Sequence, residues 1–336
     1  MNDSTMQGFW FGKSVVVPGG AGFIGSSVVD ELVVNGASVS VIDDESSGDL
    51  SRLASHQGRI AIHRSDLCAI DLAALFRGAD AVLNLAGMAP GLTPDELRHE
   101  RLYHGNLQIA DAVLAAALAA EVPRLLVVSS SCVYPDDAPV PTPELSIDGS
   151  APESANRGYG LAKREIERRA TAAAGGPTRI TVARPFNACG PRDQAYGPGA
   201  HVIPSLLGKI LDPAVPEVVV WGSGRQTRSF IDVRDAARAM LLLVERHPVP
   251  EPVNIGSDDE IPLGDLVRLL MELSGVFKPV RFDLTKPEGA LRKSCDSSWL
   301  HELTGFRPEY EAKRSLRDIV TARLANRECS CPVRVG

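Results

Sequence analysis

The period of apolar positions changes repeatedly along the first half of the chain. Short β-branched runs such as residues 14–17 are apolar at nearly every position, which is typical of strands buried on both faces. Longer stretches with helical spacing, such as residues 24–35, separate these runs. This alternation predicts an α/β fold, a doubly wound parallel sheet of the Rossmann type with helices on both faces. The further predicted strands are 38–42, 60–63, 81–85, 125–129 and 180–183, and the further helices are 72–76, 106–120 and 159–174.

The pattern becomes less regular after Pro185. Glycine, proline and charged residues become more frequent, and the predicted helices 202–211, 233–246 and 263–274 are separated by short strand-like pieces such as 218–221. We therefore predict a first domain over residues 1–185 and a smaller α/β domain over residues 186–336, part of which crosses back to the first. Ligands of open α/β sheets bind at the carboxyl ends of the strands, so a second domain there would cover a ligand.

The first predicted strand runs into a glycine-rich turn at residues 19–25 (GGAGFIG), and a helix follows at once. Glycines here permit a tight turn and let backbone N–H groups approach a pyrophosphate. Asp43 ends the second strand about 20 residues on, where an acid binds an adenosine ribose diol and repels a 2′-phosphate. The turn therefore predicts NAD as cofactor, with an ordinary glycine turn as the alternative. The predicted contacts are Gly19, Gly22, Phe23, Ile24, Gly25 and Asp43.

Polar residues also end the next two strands. Residues 66–67 follow the third strand and residues 84–87 close the fourth, where both segments could line the adenine side of the cofactor. Alternatively, these polar residues simply terminate their strands. For Asp66 this explanation is nearly as good as cofactor binding. The cofactor-binding residues predicted from this part of the chain are Asp66, Leu67, Leu85, Ala86, Gly87 and Asn106.

The fifth strand ends in a serine-rich segment, SSCVYP at residues 130–135, and a later helix opens with Tyr159 and Lys163. These two residues are four apart and share one helix face. A nearby ammonium, together with a positive nicotinamide ring, would lower the pKa of the phenol from about 10 toward neutrality. The pattern predicts Tyr159 as the base for a sugar or alcohol hydroxyl, with Ser130 hydrogen-bonding the same oxygen.

In this order the motifs resemble the extended short-chain dehydrogenase/reductase family, which contains NAD-dependent sugar-nucleotide epimerases, dehydratases and decarboxylases. The likeness covers residues 13–326. It implies that Pro185 borders the nicotinamide and that Asn187 touches the substrate diphosphate. It also places Arg228 and Arg292 on the phosphates, although surface charge explains these arginines equally well. The further implied substrate contacts are Met88, Ser131, His201, Val202 and Trp221.

One position departs from the family pattern. Pro18 stands before the glycine turn, where the family usually has threonine. Proline lacks an N–H group, so a contact on the ribose side is in doubt. We still expect cofactor binding, because the glycines and the helix start are retained.

The residues around the serine-rich segment narrow the reaction that the resemblance implies. No acid precedes Tyr134, which argues against the 4,6-dehydratases and the UDP-glucuronate decarboxylases. The segment resembles GDP-mannose 3,5-epimerases and GDP-fucose synthases, in which the cysteine removes a proton next to a ketone. This implies Cys132 as that base and His201 as the partner acid, with the imidazolium lowering the pKa of the thiol. A small buried cysteine at a strand end is the alternative.

Several functions stay open at this stage. Asp43 favours NAD, whereas the GDP-fucose synthases use NADPH, so a GDP-mannose 3,5-epimerase-like reaction ranks first. A GDP-fucose-synthase-like epimerase/reductase and a UDP-sugar 4-epimerase follow. An NAD-binding scaffold or redox sensor is the alternative that is not an enzyme. We expect residues 88–92, His104 and Tyr196 to shape the sugar pocket. The nucleotide of the substrate could be GDP, UDP or dTDP.

Composition bears mainly on partners and compartment. The 336 residues carry 35 Lys+Arg and 42 Asp+Glu, a net charge of −7 without a long basic run, which predicts no nucleic-acid or membrane partner. Six scattered cysteines and the lack of a signal-like start predict reduced thiols in the cytoplasm and no metal site. The helix over residues 107–120 is apolar nearly all round, so we expect a homodimer formed through it and through residues 159–174.

Overall fold

A computed structural model describes residues 6–89, 96–193, 200–286 and 288–330. The strands in these ranges begin and end close to the predicted positions, and β2 ends on Asp43. The strands are β1 Ser14–Pro18, β2 Ser38–Asp43, β3 Ala61–Arg64, β4 Ala81–Asn84, β5 Arg124–Val128, β6 Arg179–Pro185, β7 Ala188–Cys189, β8 Val218–Trp221, β9 Thr227–Ser229, β10 Ile231–Asp232, β11 Val253–Ile255, β12 Glu260–Pro262, β13 Val280–Asp283 and β14 Arg292–Lys293.

The helices alternate with these strands. None of the described helices is long and apolar enough to cross a bilayer. The helices are α1 Met6–Trp10, α2 Phe23–Val34, α3 Leu72–Phe76, α4 Glu96–Ala119, α5 Arg157–Ala172, α6 Val202–Leu211, α7 Val233–Arg246, α8 Leu263–Ser274, α9 Ser298–Thr304 and α10 Ala312–Ser330.

Seven parallel strands form the main sheet, in the order β11-β6-β5-β4-β1-β2-β3. Alternate residues of β1 enter opposite layers, since Val15 and Val17 pack in the cluster that contains α2 and α7, whereas Val16 packs in the cluster with α4 and α5. All three valines are at most 3% exposed. The predicted doubly wound α/β fold is confirmed.

A separate apolar cluster lies beyond the main sheet. It is built by α6, α8, α10 and β8, and it includes the fully buried Leu266 and Leu270. The chain nevertheless returns to the main sheet, because β11 pairs with β6 and α7 packs against α2. Segments that follow β6 therefore contribute both to the main sheet and to the helix layer beside it.

Two differences from the prediction concern the main sheet and its helices. Several smaller elements were not predicted either: α1, α9, α10, β7, β9, β10, β12, β13 and β14. Helix α4 begins at Glu96, ten residues before its predicted start at residue 106. Its first turns carry charged and polar side chains, so the apolar period does not reveal them. Strand β11 has only three residues and was not predicted, because its place in the sheet depends on pairing with the distant β6.

Candidate active site

The glycine turn between β1 and α2 has the geometry of an anion cradle. Gly19 has φ +75°, and a Cβ on it would lie 2.5 Å from the backbone nitrogen of Ala86. A Cβ on Gly25 would overlap the carbonyl oxygen of Gly19. No side chain caps the first turn of α2, and no acid lies in that turn, so its N–H groups suit a pyrophosphate. The residues present fit a dinucleotide.

Asp43 lies against this turn, at the carboxyl end of β2. Its Oδ2 accepts a hydrogen bond of 2.9 Å from the N–H of Ala21, and its Oδ1 accepts one of 2.9 Å from the N–H of Glu45. The Arg52 guanidinium donates to the carbonyl of Ala21 at 2.9 Å. The structure therefore brings the predicted ribose-binding acid next to the glycine turn. Arg52, which the motif did not reveal, lies beside it.

The segment after β4 lies between the glycine turn and α5. Asn106 on α4 accepts from the N–H of Met88 at 3.1 Å and donates to its carbonyl at 3.0 Å. A Cβ on Gly87 would lie 2.9 Å from the Asn106 side chain and 3.6 Å from Lys163 Nζ. Asn106 thus holds Leu85, Ala86, Gly87 and Met88 beside the lysine of the Tyr–Lys pair.

Two predicted adenine-side residues occupy different environments. Asp66 is exposed, and its carboxylate accepts from the N–H of Cys68 at 2.8 Å. Leu67 is only 8% exposed and packs in the same cluster as α4 and α5. Their contact with a cofactor stays a prediction.

Ser130, Tyr159 and Lys163 meet at the carboxyl end of β5. Ser130 begins a 3-10 turn, and its hydroxyl accepts from the N–H of Cys132 at 3.2 Å. The Ser130 side chain also lowers the pKa of the Tyr159 phenol. Lys163 Nζ lies 5.5 Å from the centroid of the Tyr159 ring and donates to the carbonyl of Val128 at 2.8 Å. The i, i+4 spacing on α5 thus places both side chains over the strand end.

Burial dominates the electrostatics of this pair. Burial raises the pKa of Tyr159, and the neighbouring Cys132 raises it further, whereas Ser130 lowers it. Burial lowers the pKa of Lys163 to about 8, against the effect of Glu167. The predicted shift of the phenol pKa toward neutrality includes the charge of a bound nicotinamide ring, and it stays a prediction.

Cys132 has a different neighbourhood from the predicted one. Burial raises the pKa of its thiol to about 12, and the groups that act on it most strongly are Lys293 and Glu153. His201 instead contacts Asp193, with Nδ1 and Oδ1 2.8 Å apart, and its ring centroid lies 6.5 Å from that of Phe23. The expected lowering of the thiol pKa by an imidazolium is wrong, since desolvation dominates and the nearby cation is a lysine.

The two predicted phosphate-binding arginines lie on adjacent strands but have different partners. Arg228 on β9 donates to the carbonyl of Ala290 at 2.8 Å. Arg292 on β14 is half-exposed and donates through Nε to Glu260 at 3.1 Å. Successive residues of a strand face opposite sides, so Lys293, which follows Arg292, faces Glu153 instead. Lys293 and Glu153 were not predicted, because no motif marks them.

The remaining predicted residues lie in several different elements. Asn187 has φ +31° and donates to the carbonyl of Ser229 at 2.9 Å. Trp221 is 48% exposed, with the Lys286 ammonium 5.9 Å from its ring centroid. Residues 90–92 and Tyr196 lie outside the described residues. Of the rest, Pro185 ends β6, Ser131 is buried in the 3-10 turn, Val202 begins α6, and His104 is exposed on α4.

A buried ion pair, absent from the predicted set, supports the strand end. The Arg184 guanidinium binds both carboxylate oxygens of Glu167, at 2.8 and 2.6 Å. The Ser129 hydroxyl donates to the same carboxylate, and Arg184 also donates to the hydroxyl of Tyr134 at 2.8 Å. Glu167 lies one turn after Lys163 on α5. The Arg184–Glu167 pair and the Ser129 hydrogen bond therefore connect α5 to the ends of β5 and β6.

A dinucleotide-binding turn and a Ser–Tyr–Lys group on one doubly wound sheet define the class of short-chain dehydrogenases/reductases. A sequence model described as the NAD dependent epimerase/dehydratase family matches residues 15–256. The chain belongs to this family.

Relatives and solved structures cover nearly the whole chain. "Probable GDP-L-fucose synthase 1" of Oryza sativa subsp. japonica is 32% identical over 311 residues, 91% of this chain and 90% of that protein. UDP-N-acetylglucosamine 4-epimerase of Methanobrevibacter ruminantium M1, solved with UDP-N-acetylmuramic acid, has 26% identity and a TM-score of 0.83 over 94% and 99% of the chains. UDP-glucose 4-epimerase of Thermotoga maritima, solved with UDP-glucose, has 26% identity and a TM-score of 0.81 over 93% and 99%.

Replacing Gly25 by alanine is expected to weaken NADH binding about ten- to a hundredfold. The added Cβ would overlap the Gly19 carbonyl, and overpacking of this kind costs about 1–3 kcal/mol. Fluorescence titration with NADH measures the effect. Gly176→Ala is the matched control, because its Cβ meets nothing within 4 Å. Unchanged NADH affinity in Gly25→Ala would contradict the assignment of the cradle.

Proposed function

We propose that this protein is a nucleotide-sugar epimerase that works through a transient 4-keto sugar. The observation that carries the proposal is the position of Cys132 beside Ser130, whose hydroxyl accepts from the Cys132 N–H, and within electrostatic reach of Tyr159. Tyr159 would transfer the proton of an alcohol oxygen, and Cys132 would transfer a proton at a neighbouring carbon. Such a reaction needs proton transfer at both of these positions. NAD is the proposed cofactor, because Asp43 lies against the glycine turn, where it would repel a 2′-phosphate.

Tyr159 is the proposed base at the sugar O4. A bound nicotinamide dinucleotide would accept a hydride from C4 and later return it. Tyr159 takes the O4 proton while Ser130 holds the same oxygen by a hydrogen bond. Lys163 lies against the Tyr159 ring, and its ammonium stabilises the phenolate that forms.

Cys132 is the proposed proton carrier at the carbons next to the ketone. The ketone acidifies the C3–H and C5–H bonds, so the thiolate can take a proton while the electron pair moves onto the ketone oxygen. His201 is the proposed donor on the opposite face. Asp193 raises the pKa of His201, which favours the protonated form that a donor needs.

The substrate proposed first is a GDP-sugar, in a redox-neutral reaction of the GDP-mannose 3,5-epimerase type. The similarity to a GDP-L-fucose synthase supports the guanine nucleotide, and Asp43 supports a recycled NAD. The same similarity favours a second candidate, a GDP-fucose-synthase-like epimerase and reductase. The two solved 4-epimerases favour a third, which would need no Cys132 chemistry.

Incubation in deuterated water tests the proposed reaction directly. With GDP-mannose and NAD, we expect the enzyme to introduce deuterium at C3 or C5, detected by NMR and mass spectrometry. Cys132→Ser is expected to slow this exchange by about 10²-fold or more, because a hydroxyl is a far weaker base than a thiolate. Cys68→Ser is the control, since Cys68 is exposed and outside the site.

Each other reaction gives a distinct result in the same experiment. Epimerisation of a UDP-sugar at C4 without exchange would contradict the role of Cys132 and favour the 4-epimerase. Net reduction of a 4-keto-6-deoxy GDP-sugar with a nicotinamide dinucleotide would favour the synthase-like reaction. A purified protein without NAD(H) absorbance and without turnover of any nucleotide sugar would favour a scaffold.

We also propose a homodimer formed through α4 and α5. The two helices pack side by side within one chain, and Arg169 on α5 pairs with Asp111 on α4. Much of α4 is at least partly exposed, including Ile109 and Leu114, so its outer side offers apolar area to a second copy.

A further inference from the structure

Three separate segments converge on the Cys132 side chain. Cys132 lies in the 3-10 turn after β5, Glu153 precedes the 3-10 turn before α5, and Lys293 lies on β14. Lys293 and Glu153 are the charged groups that act most strongly on the Cys132 thiol. Lys293 Nζ lies 3.1 Å from Glu153 Oε2, so the carboxylate and the ammonium form an ion pair.

The backbone fixes the relative position of these groups. The N–H of Glu153 donates to the carbonyl of Cys132 at 3.3 Å, so a main-chain hydrogen bond joins the two residues. Asn156 donates to Glu153 Oε2 at 3.2 Å. A Cβ on Gly160 would lie 2.5 Å from the Cys132 carbonyl oxygen, which shows how closely α5 approaches. The carboxylate is thereby held beside the thiol.

Little of this cluster reaches water. Cys132 is 8% exposed, and the side chains of Glu153 and Lys293 are 20% and 19% exposed. Charges separated from water interact more strongly than charges at the surface. A thiolate formed here therefore depends on a neighbouring cation.

Among the described residues, the charged or titratable groups that act on the thiol come from three elements. Tyr159 and Lys163 face it from α5, Glu153 from the preceding turn and Lys293 from β14. Lys163 also interacts with Glu167 and donates to a main-chain carbonyl, so part of its charge is engaged elsewhere. Lys293 is the cation with the largest effect on the thiol.

We propose that Glu153 and Lys293 are a positioning pair for Cys132, in which Glu153 accepts the thiol hydrogen bond and Lys293 is the counter-charge of the thiolate. The catalytic use of this pair rests on the proposed function. When the thiol protonates the substrate carbon, the S–H bond breaks and a C–H bond forms from the enolate electron pair. The thiolate then remains beside the Lys293 ammonium, and the reverse step restores the thiol.

The pH dependence of Cys132 alkylation tests the pair without any substrate. The rate with iodoacetamide follows the thiolate fraction, and mass spectrometry of the Cys132 peptide separates it from the other cysteines. Lys293→Met is expected to slow alkylation at pH 8 by about tenfold and to move the midpoint of the profile upward, whereas Glu153→Gln is expected to speed it by about tenfold. Lys293→Arg keeps the charge and is expected to retain a profile close to that of the unchanged protein.

Two controls keep the result interpretable. Lys313→Met removes an exposed lysine on α10 and is expected to leave the profile unchanged. Thermal unfolding of each variant shows whether the fold is retained, and Lys293→Arg carries the test if Lys293→Met unfolds. An unchanged alkylation profile in both Lys293→Met and Glu153→Gln would overturn the proposal. The proposal would also be overturned if Lys293→Arg slowed alkylation and moved the midpoint as much as Lys293→Met does.

The pair and the proposed function fail in different ways. Shifted alkylation profiles without deuterium exchange into any nucleotide sugar would retain the pair and reject its catalytic use. Deuterium exchange that depends on Cys132, together with alkylation profiles insensitive to Lys293 and Glu153, would retain the function and reject the pair.

Discussion

Turnover of Tyr159→Phe is expected to fall by about 10²–10⁴-fold, the range that a positioned acid–base group contributes. The substitution removes only the phenol oxygen, which would take the O4 proton and whose pKa Ser130 lowers. The ring and its contact with Lys163 remain, so NADH affinity is expected to stay within about twofold. Turnover of the nucleotide sugar and NADH titration measure the two effects separately.

Tyr103→Phe provides the matched control for this variant. Tyr103 lies on α4, and its ring packs against His104 with centroids 5.1 Å apart. Its loss of a hydroxyl is expected to leave turnover unchanged. Retention of full activity by Tyr159→Phe would show that another group serves O4 and would remove the central residue of the proposed mechanism.

The free energy of unfolding is expected to fall by about 3–5 kcal/mol in Arg184→Met, because the change leaves a carboxylate buried without its cation. Arg184 and Glu167 have side chains only 4% and 6% exposed, and they share two hydrogen bonds. The Glu167 carboxylate would then be desolvated without a compensating positive charge. Urea unfolding monitored by circular dichroism measures the loss.

A surface arginine and a double variant complete this test. Arg168 on α5 pairs with Glu165 but is 69% exposed, so Arg168→Met is expected to leave the free energy of unfolding nearly unchanged. The double variant Arg184→Met/Glu167→Leu removes both charges and is expected to recover part of the stability lost in Arg184→Met. An Arg184→Met protein as stable as Arg168→Met would show that the buried pair is not a main support of the strand end.

The sequence by itself predicted the parts of the protein that depend on neighbours along the chain. The apolar period of β1 and the glycine turn specify a buried strand and a tight bend locally. Tyr159 and Lys163 lie four residues apart, so helix geometry alone brings them to one face. The parallel sheet followed from the alternation of these elements, and the structure confirms it.

Tertiary structure alone decided which groups surround Cys132. Glu153 and Lys293 are separated from it by 21 and 161 positions, and only the strand pairing of β14 with β9 turns Lys293 toward the site and Arg292 toward Glu260. Burial then set the pKa of Cys132 against the predicted direction. Desolvation and long-range charge depend on what the whole chain packs around a side chain, and a local motif does not contain that information.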